Sequence, residues 1–276
     1  MRTYLIAFGL SLLAGLLFTR WIRDFANRHE LVDAPTKGRK IHKTAVPRLG
    51  GVAVIVATAL PLLGLLMWDN KLSRALAADQ SLWVSLIGGG SIIILVGLWD
   101  DIKGCKAVFK LTAQVAAAMV VYWSGLRIEA VSVPFFAPLH LGDFSLVITV
   151  FWMVLVINSI NLIDGLDGLA GGVVTLAGGT LFIMSVVEGN DLAALLLVAM
   201  VGATMGFLAY NLTAASIFLG DTGSLMLGFI LALVSVHSSQ KSYTLFSIVA
   251  ALFALGLPIF DLSMAVVRRF LSGKPI

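Results

Sequence analysis

Three short stretches of the sequence hold side chains that could do chemistry, and all of them are hard oxygen donors. They are the pair Asp100–Asp101, the run "NLIDGLDGLAGG" from Asn161 to Gly172 with Asp164 and Asp167, and "FLGDTGS" with Asp221. Each adjoins a long apolar run. Clustered carboxylates repel one another, and beside hydrocarbon they also lose solvation. A divalent cation relieves both costs. Mg²⁺ takes about six oxygen ligands, keeps several waters, and is commonly held by one or two carboxylates plus substrate phosphates. No Cys/His cluster accompanies the acids, which argues against zinc. In a helix, Asn161, Asp164 and Asp167 would share a face. Gly165 and Gly168 weigh against an unbroken helix and leave backbone amides open to a ligand. Simpler readings exist for each piece. The paired aspartates can be a solvated turn at a helix end, and "FLGDTGS" can be a helix start capped by Asp221 or Thr222. Capping does not exclude ligand binding.

The basic stretch "TKGRKIHKTAVPRLGG" carries Lys37, Arg39, Lys40, His42, Lys43 and Arg48. Such a loop sets membrane topology and attracts anionic headgroups. Beside a metal site its cations also suit a substrate with several phosphates. Asp261, shortly after Pro258, is an intramembrane carboxylate and so a functional candidate, with pairing to Arg268 as the simpler role. His140 and His237 fall away from the acids and are read as structural.

The elements that must position these groups are membrane helices. Of 276 residues, 59% are hydrophobic and 12% charged, about half the charge of an ordinary soluble domain. The mean hydropathy is +0.99. The expected fold is an all-α polytopic transmembrane bundle forming one integral membrane domain over 1–276. Nine candidate spans are read at 3–21, 49–68, 82–99, 108–124, 144–161, 170–187, 191–210, 223–240 and 243–267, from recurring apolar runs near 20 residues. The first lacks a basic leader region and a small-residue cleavage site, so it reads as a retained helix. Pro61 and Pro258 mark expected kinks, and the glycine runs at 88–90 and 177–179 mark expected close packing. The single cysteine, Cys105, excludes an internal disulfide framework. Alternation of the spans puts 14 Lys/Arg on one side and 5 on the other. The positive-inside rule makes the first side cytoplasmic and the N-terminus extracytoplasmic. That side includes the basic loop 22–48 and all three acidic motifs. The stretch 125–143, with alternating residues and two prolines, reads as an extracytoplasmic hairpin.

The order "PRLGG" (47–51), "DD" (100–101), "NLIDGLDGLAGG" (161–172), "FLGDTGS" (218–224) and "PIFDLSMAVVRR" (258–269) resembles the polyprenyl-phosphate N-acetylhexosamine-1-phosphate transferases. It is closest in form to the WecA/TagO branch, with MraY-type and eukaryotic dolichol-phosphate enzymes as relatives. The resemblance covers residues from about 30 to 276. It implies transfer of N-acetylhexosamine-1-phosphate, most simply GlcNAc-1-phosphate, from a UDP-sugar to polyprenyl (undecaprenyl) phosphate. The products are a polyprenyl-diphospho-sugar and UMP, with Mg²⁺ required and Mn²⁺ an alternative. It also implies roles. Asp221 is the main metal ligand, with Asn161 and Asp164 beside it. Asp100 is the base toward the lipid phosphate, and Asp101 supports it. Asp164, Asp167 and Lys110 lie near the phosphates. Asn161, Gly165, Leu166 and Asp167 lie beside diphosphate and uridine, Phe218 stacks on uracil, and Lys40, His42 and Arg48 contribute to substrate binding. The family's histidine-rich H-x-H-H loop and last span have no counterpart before Ile276, so the sequence reads as shortened from ten or more spans.

The expected partners are therefore a UDP-N-acetylhexosamine, polyprenyl phosphate and membrane lipids, with no nucleic acid; a homodimer is left open. The expected location is the bacterial cytoplasmic (inner) membrane. Two rival readings are weaker. UbiA-type prenyltransferases also use acidic helices and Mg²⁺, but space their acids at i and i+4 in two copies. A nucleotide-sugar or ion transporter is expected to place its coupling groups near the bilayer midplane, often with an internal repeat.

Overall fold

The structure, a computed structural model, describes residues 1–29, 32–33, 46–67, 71–131, 139–212 and 214–241, together with positions 256, 260, 264, 268, 269 and 272. The described residues are overwhelmingly helical. In chain order the helices are α1 (Arg2–Arg28), α2 (Gly50–Leu66), α3 (Lys71–Ala78), α4 (Gln80–Val84), α5 (Gly90–Lys103), α6 (Ala107–Trp123), α7 (Ser145–Ile163), α8 (Leu169–Val187), α9 (Asp191–Asn211) and α10 (Gly220–Lys241). A π-helical turn, Ser85–Gly89, joins α4 to α5, so the two run on as one element from Gln80 to Lys103. Two short antiparallel pairs complete the description: β1 (Val32–Asp33) with β2 (Val46–Pro47), and β3 (Ala130–Val131) with β4 (Leu139–His140).

Six helical stretches are long and apolar enough to cross a bilayer, and α2 and α6 are shorter apolar helices. The chain is a polytopic helical membrane protein. Each of the first eight expected spans coincides with a helix, and α2 continues through Pro61. Most of the expected ninth, Asp261 included, lies outside the described residues. The short amphipathic α3 between α2 and α4 was not anticipated from sequence.

The helices at the centre are α9 and α10. Of their spans 83% and 94% is buried, against 33–44% for the other four. A helix enclosed on all sides has no reason to be amphipathic. It buries Phe207 on α9 and Phe229 on α10 completely. Small residues let α10 approach its neighbours at backbone distance. A Cβ added to Gly97 of α5 would lie 2.5 Å from the Thr222 Cα, and one added to Gly51 of α2 would lie 2.2 Å from the Gly223 nitrogen. The glycine runs flagged from sequence behave similarly. Gly89 abuts the Phe229 ring, and Gly178 abuts Met200 and Val201. Close contact at Gly97 and Gly51 fixes the start of α10 beside the end of α5.

Candidate active site

Four helix ends meet where α10 begins. Helix α5 stops because Gly104 takes a left-handed φ of +74°, and its N–H donates to the Asp100 carbonyl at 2.9 Å, a glycine-type helix stop. This leaves Asp100 and Asp101 in the last turn of α5. The chain then reverses, and the first turn of α6 presents Lys110. Its Nζ donates to Asp221 Oδ2 at 2.6 Å and to Asp100 Oδ2 at 3.2 Å. The three side chains are 16–24% exposed, so the bridge is less screened than a surface ion pair. One ammonium thus joins two acids that are 121 positions apart in sequence.

Asp101 faces the other way. Its Oδ1 accepts the Asp221 N–H at 2.7 Å, and its Oδ2 accepts the Thr222 N–H at 2.9 Å and the Thr222 hydroxyl at 2.6 Å. Gly220 makes the approach possible. Its φ is +74°, and an added Cβ would lie 2.1 Å from the Arg48 carbonyl and 2.8 Å from both Asp101 oxygens. The expectation that Asp221 or Thr222 caps its own helix is therefore corrected. The cap arrives from α5.

Helix α7 ends at Ile163, with Asp164 at its C-cap, so Asn161, Asp164 and Asp167 do not share one helical face, in line with the weight of Gly165 and Gly168 against an unbroken helix. Asn161, in the last turn of α7, donates to Ser224 Oγ of α10 at 2.9 Å. Residues 164–168 form a turn in which Gly165 and Leu166 are exposed. Gly168 starts α8 in the left-handed region at φ +72°. The turn is tied to the segment before α10. The Gly168 N–H donates to Asn211 Oδ1 at 3.0 Å, Asn211 Nδ2 donates to the Ile217 carbonyl at 2.9 Å, and the Ala215 N–H donates to Asp167 Oδ2 at 3.0 Å. Asp167 thus helps shape this loop. Phe218 is half-buried. Its N–H donates to the Pro47 carbonyl at 2.7 Å, and the Gly50 N–H returns to the Phe218 carbonyl at 2.9 Å. Exposed Arg48 lies within that exchange.

Asp164 carries the electrostatic signature of the site. Burial, then the charges of Asp221 and Asp101, push its carboxyl well above the ordinary carboxylate range, and Arg48 opposes them. The structure therefore collects Asp100, Asp101, Lys110, Asn161, Asp164 and Asp221, with Arg48 in electrostatic reach. Lys40 and His42 lie outside the described residues. Among the described residues no three His, Cys, Asp or Glu side chains form a cluster able to hold a metal alone. Mg²⁺, which needs only one or two protein carboxylates, would take Asp221 with Asn161 or Asp164 and draw its other oxygens from water and substrate phosphates. The raised Asp164 carboxyl is the sign of negative charge that such a cation would offset.

One pair escaped the sequence reading. Gln114 of α6 is buried and clasps Asn158 of α7, their amides exchanging hydrogen bonds. Gln114 lies one turn after Lys110, and Asn158 one turn before Asn161. The clasp fixes the two helices that deliver those groups. The only signal was polar amides on faces otherwise apolar.

Glycosyl transferase family 4 matches residues 83–239, more than half of the chain. A probable undecaprenyl-phosphate N-acetylglucosaminyl 1-phosphate transferase of Bacillus subtilis is 37% identical over 98% of this chain and 73% of its own length. A decaprenyl-phosphate N-acetylglucosaminephosphotransferase of Mycolicibacterium smegmatis is 31% identical over 93% of this chain and 68% of its own. A phospho-N-acetylmuramoyl-pentapeptide-transferase of Limosilactobacillus fermentum is 33% identical over 96% and 84%. All three similarities run through the acidic motifs and the helices that bring them together, and the chain belongs to glycosyl transferase family 4.

Proposed function

We propose that the protein transfers N-acetylhexosamine-1-phosphate, most simply GlcNAc-1-phosphate, from a UDP-sugar to polyprenyl phosphate. An oxygen of the lipid phosphate attacks the sugar-bearing phosphorus of the donor. That phosphorus–oxygen bond to UMP breaks, and polyprenyl-diphospho-sugar and UMP result. The observation that carries this reading is the Lys110 bridge between Asp100 and Asp221, set among further carboxylates at the helix ends. The names of the relatives supply the substrate class. Mg²⁺ held at Asp221 would offset the diphosphate charge and stabilise the leaving UMP.

Phosphoryl transfer depends mainly on positioning and charge stabilisation. Lys110 can exchange its hydrogen bond to Asp221 for one to a substrate phosphate while keeping Asp100 in place. Asp100 then orients the lipid phosphate or removes its last proton. That phosphate is mostly a dianion at neutral pH, its second pKa being about 6, so orientation is the larger part of the task. Arg48 and the exposed Gly165 and Leu166 of the turn 164–168 would bind the donor. With the site on the cytoplasmic face and the N-terminus outside, as nine spans would place them, the enzyme draws nucleotide sugar from the cytoplasm. It works in the bacterial cytoplasmic membrane, at the first membrane step of a cell-envelope glycan.

The decisive measurement is radiolabel exchange between UMP and UDP-GlcNAc in the presence of undecaprenyl phosphate and Mg²⁺. Exchange that requires the lipid phosphate is expected. Absence of lipid-linked label with GlcNAc and other UDP-N-acetylhexosamine donors would overturn the reading.

A further inference from the structure

"FLGDTGS" has the composition of a glycine-rich, phosphate-binding helix start. The first N–H groups of a helix are unpaired, and with the helix dipole they attract anions. In this protein two of those groups are already taken. The Asp101 carboxylate, delivered from the neighbouring helix, receives the N–H of Asp221, the N–H of Thr222 and the Thr222 hydroxyl at 2.6–2.9 Å. Both of its oxygens are occupied by one helix end. Asp100, next to it, points instead to Lys110.

We infer that the two adjacent aspartates divide their work: Asp101 is a positioning residue that caps α10 in trans and sets the place of Asp221, while its charge keeps the donor diphosphate off the start of that helix. Three features make the arrangement specific. Asp101 bonds the backbone of Asp221 itself, so any drift of α10 moves the Asp221 carboxylate. Gly97, on the same face of α5 one turn earlier, leaves no room for a Cβ beside Thr222. Gly220 leaves none beside the Asp101 oxygens. A helix start with an anion seated on it repels a second anion. The diphosphate must then find its cations elsewhere, at Lys110, Arg48 and a divalent ion. The last part rests on the proposed phosphotransfer reading, whereas the cap does not.

Two measurements separate them. The first is hydrogen exchange of the purified protein, followed on a peptide containing Asp221 and Thr222. Asp101→Asn keeps one good acceptor oxygen and loses the other, and loss of a cap bond is expected to speed exchange there about tenfold. Thr222→Val removes only the hydroxyl bond and should have a smaller effect. Combined, the two should cost less than the sum of their separate effects, because both weaken one contact. Unchanged exchange in Asp101→Asn, or strict additivity, overturns the cap. The second measurement is direct Mn²⁺ binding in the presence of UMP. Asp101→Asn should weaken it about tenfold, as the misplaced Asp221 predicts, and raise the Mg²⁺ needed for half-maximal turnover more than it lowers turnover at saturation. Wild-type Mn²⁺ affinity with turnover abolished would make Asp101 a catalytic group and overturn positioning. Absence of Mn²⁺ binding by the wild type would count against the proposed metal and so against the Asp221 part of the inference; the exchange result would still decide the cap.

Discussion

The two ends of α10 are both polar, and they are built on opposite plans. At the Lys241 end, His237 is 3% exposed and is held from both sides. Asn190 Nδ2 lies 3.3 Å from its Nδ1, and Asp79 Oδ2 lies 3.2 Å from its Nε2. An amide nitrogen is a donor only, so in the neutral ring Nδ1 accepts and Nε2 donates to Asp79. Asp79 Oδ1 also caps α4 by accepting the Leu82 N–H at 2.9 Å, and Asn190 donates to Ser238 Oγ at 3.2 Å. That network ties α4, α9 and α10 together. At the Gly220 end, Lys110 bridges Asp100 and Asp221, Asp101 holds the start of α10, and Asp164 lies in the field of Asp221, Asp101 and Arg48. The same residue types appear at both ends. What separates a structural cluster from a candidate site is how many carboxylates are gathered. At one end Asp79 hydrogen-bonds a histidine, and at the other four carboxylates lie together with Lys110 and Arg48 among them.

The comparison predicts effects of very different size. Removing charge at the Gly220 end should be severe for activity. Asp221→Asn is expected to abolish metal-dependent nucleotide binding and reduce turnover to background, measured by equilibrium binding of UMP with and without Mg²⁺. Unchanged Mg²⁺ dependence and near-normal turnover would remove Asp221 from the site. Asp100→Asn should rank second, slowed by about 10²–10⁴-fold, the usual worth of general-base help. Its defect should shrink as pH rises and the lipid phosphate loses its proton unaided, while donor binding stays intact. A pH-independent loss would confine Asp100 to holding Lys110.

How much of this was legible in the sequence depends on the range of the interaction. Apolar runs near 20 residues announced eight helical stretches, because the bilayer sets their length, although α1 runs seven residues past its expected end. The gathering of Asp100, Asp164 and Asp221 was legible too. Alternation of the spans sends these three helix ends to one side, and no contact need be known. The contacts themselves were not legible. Nothing in "DD" says that one carboxylate reaches Lys110 and the other the start of a helix about 120 residues on. That choice depends on the rotation of α5, which the Gly97 contact with Thr222 sets. The break in the helix over Asn161–Asp167 was legible for a local reason, since Gly165 and Gly168 weigh against continuity and Gly168 takes a left-handed φ. The Gln114–Asn158 clasp stayed hidden because an amide on an apolar face does not name its partner.

At the Lys241 end the expected effects fall on stability. His237→Ala leaves the Asp79 and Asn190 groups short of a buried partner, which typically costs about 1–3 kcal/mol. Denaturation in detergent should register that loss, while turnover per folded molecule stays at the wild-type level. A fall in turnover with stability retained would show that the far end acts on the site, and the contrast between the two ends would fail.

The smallest effect is the most direct test of uncompensated charge, and its sign is the opposite of an ordinary destabilising substitution. The Asp164 carboxyl is pushed up by burial and by its acidic neighbours, whereas in the unfolded chain it returns to the usual value of about 4. Below that pH the group is protonated in both states and contributes nothing. As pH rises above it, the unfolded chain ionises first. The folded state, which resists ionisation, loses relative stability until its own raised pKa is passed. The penalty is thus absent near pH 4 and fully present only above the raised folded pKa. Asp164→Asn removes the ionisation and keeps much of the side chain's shape. With chelator present, the Tm of the variant should match the wild type near pH 4 and exceed it increasingly as pH rises. Saturating Mg²⁺ with UMP should reverse the order, because the wild-type carboxylate then has the cation it faces. A variant no more stable than the wild type at alkaline pH in chelator would mean that Asp164 already has its charge met within the protein. The Gly220 end would then need no cation from outside to meet the Asp164 charge.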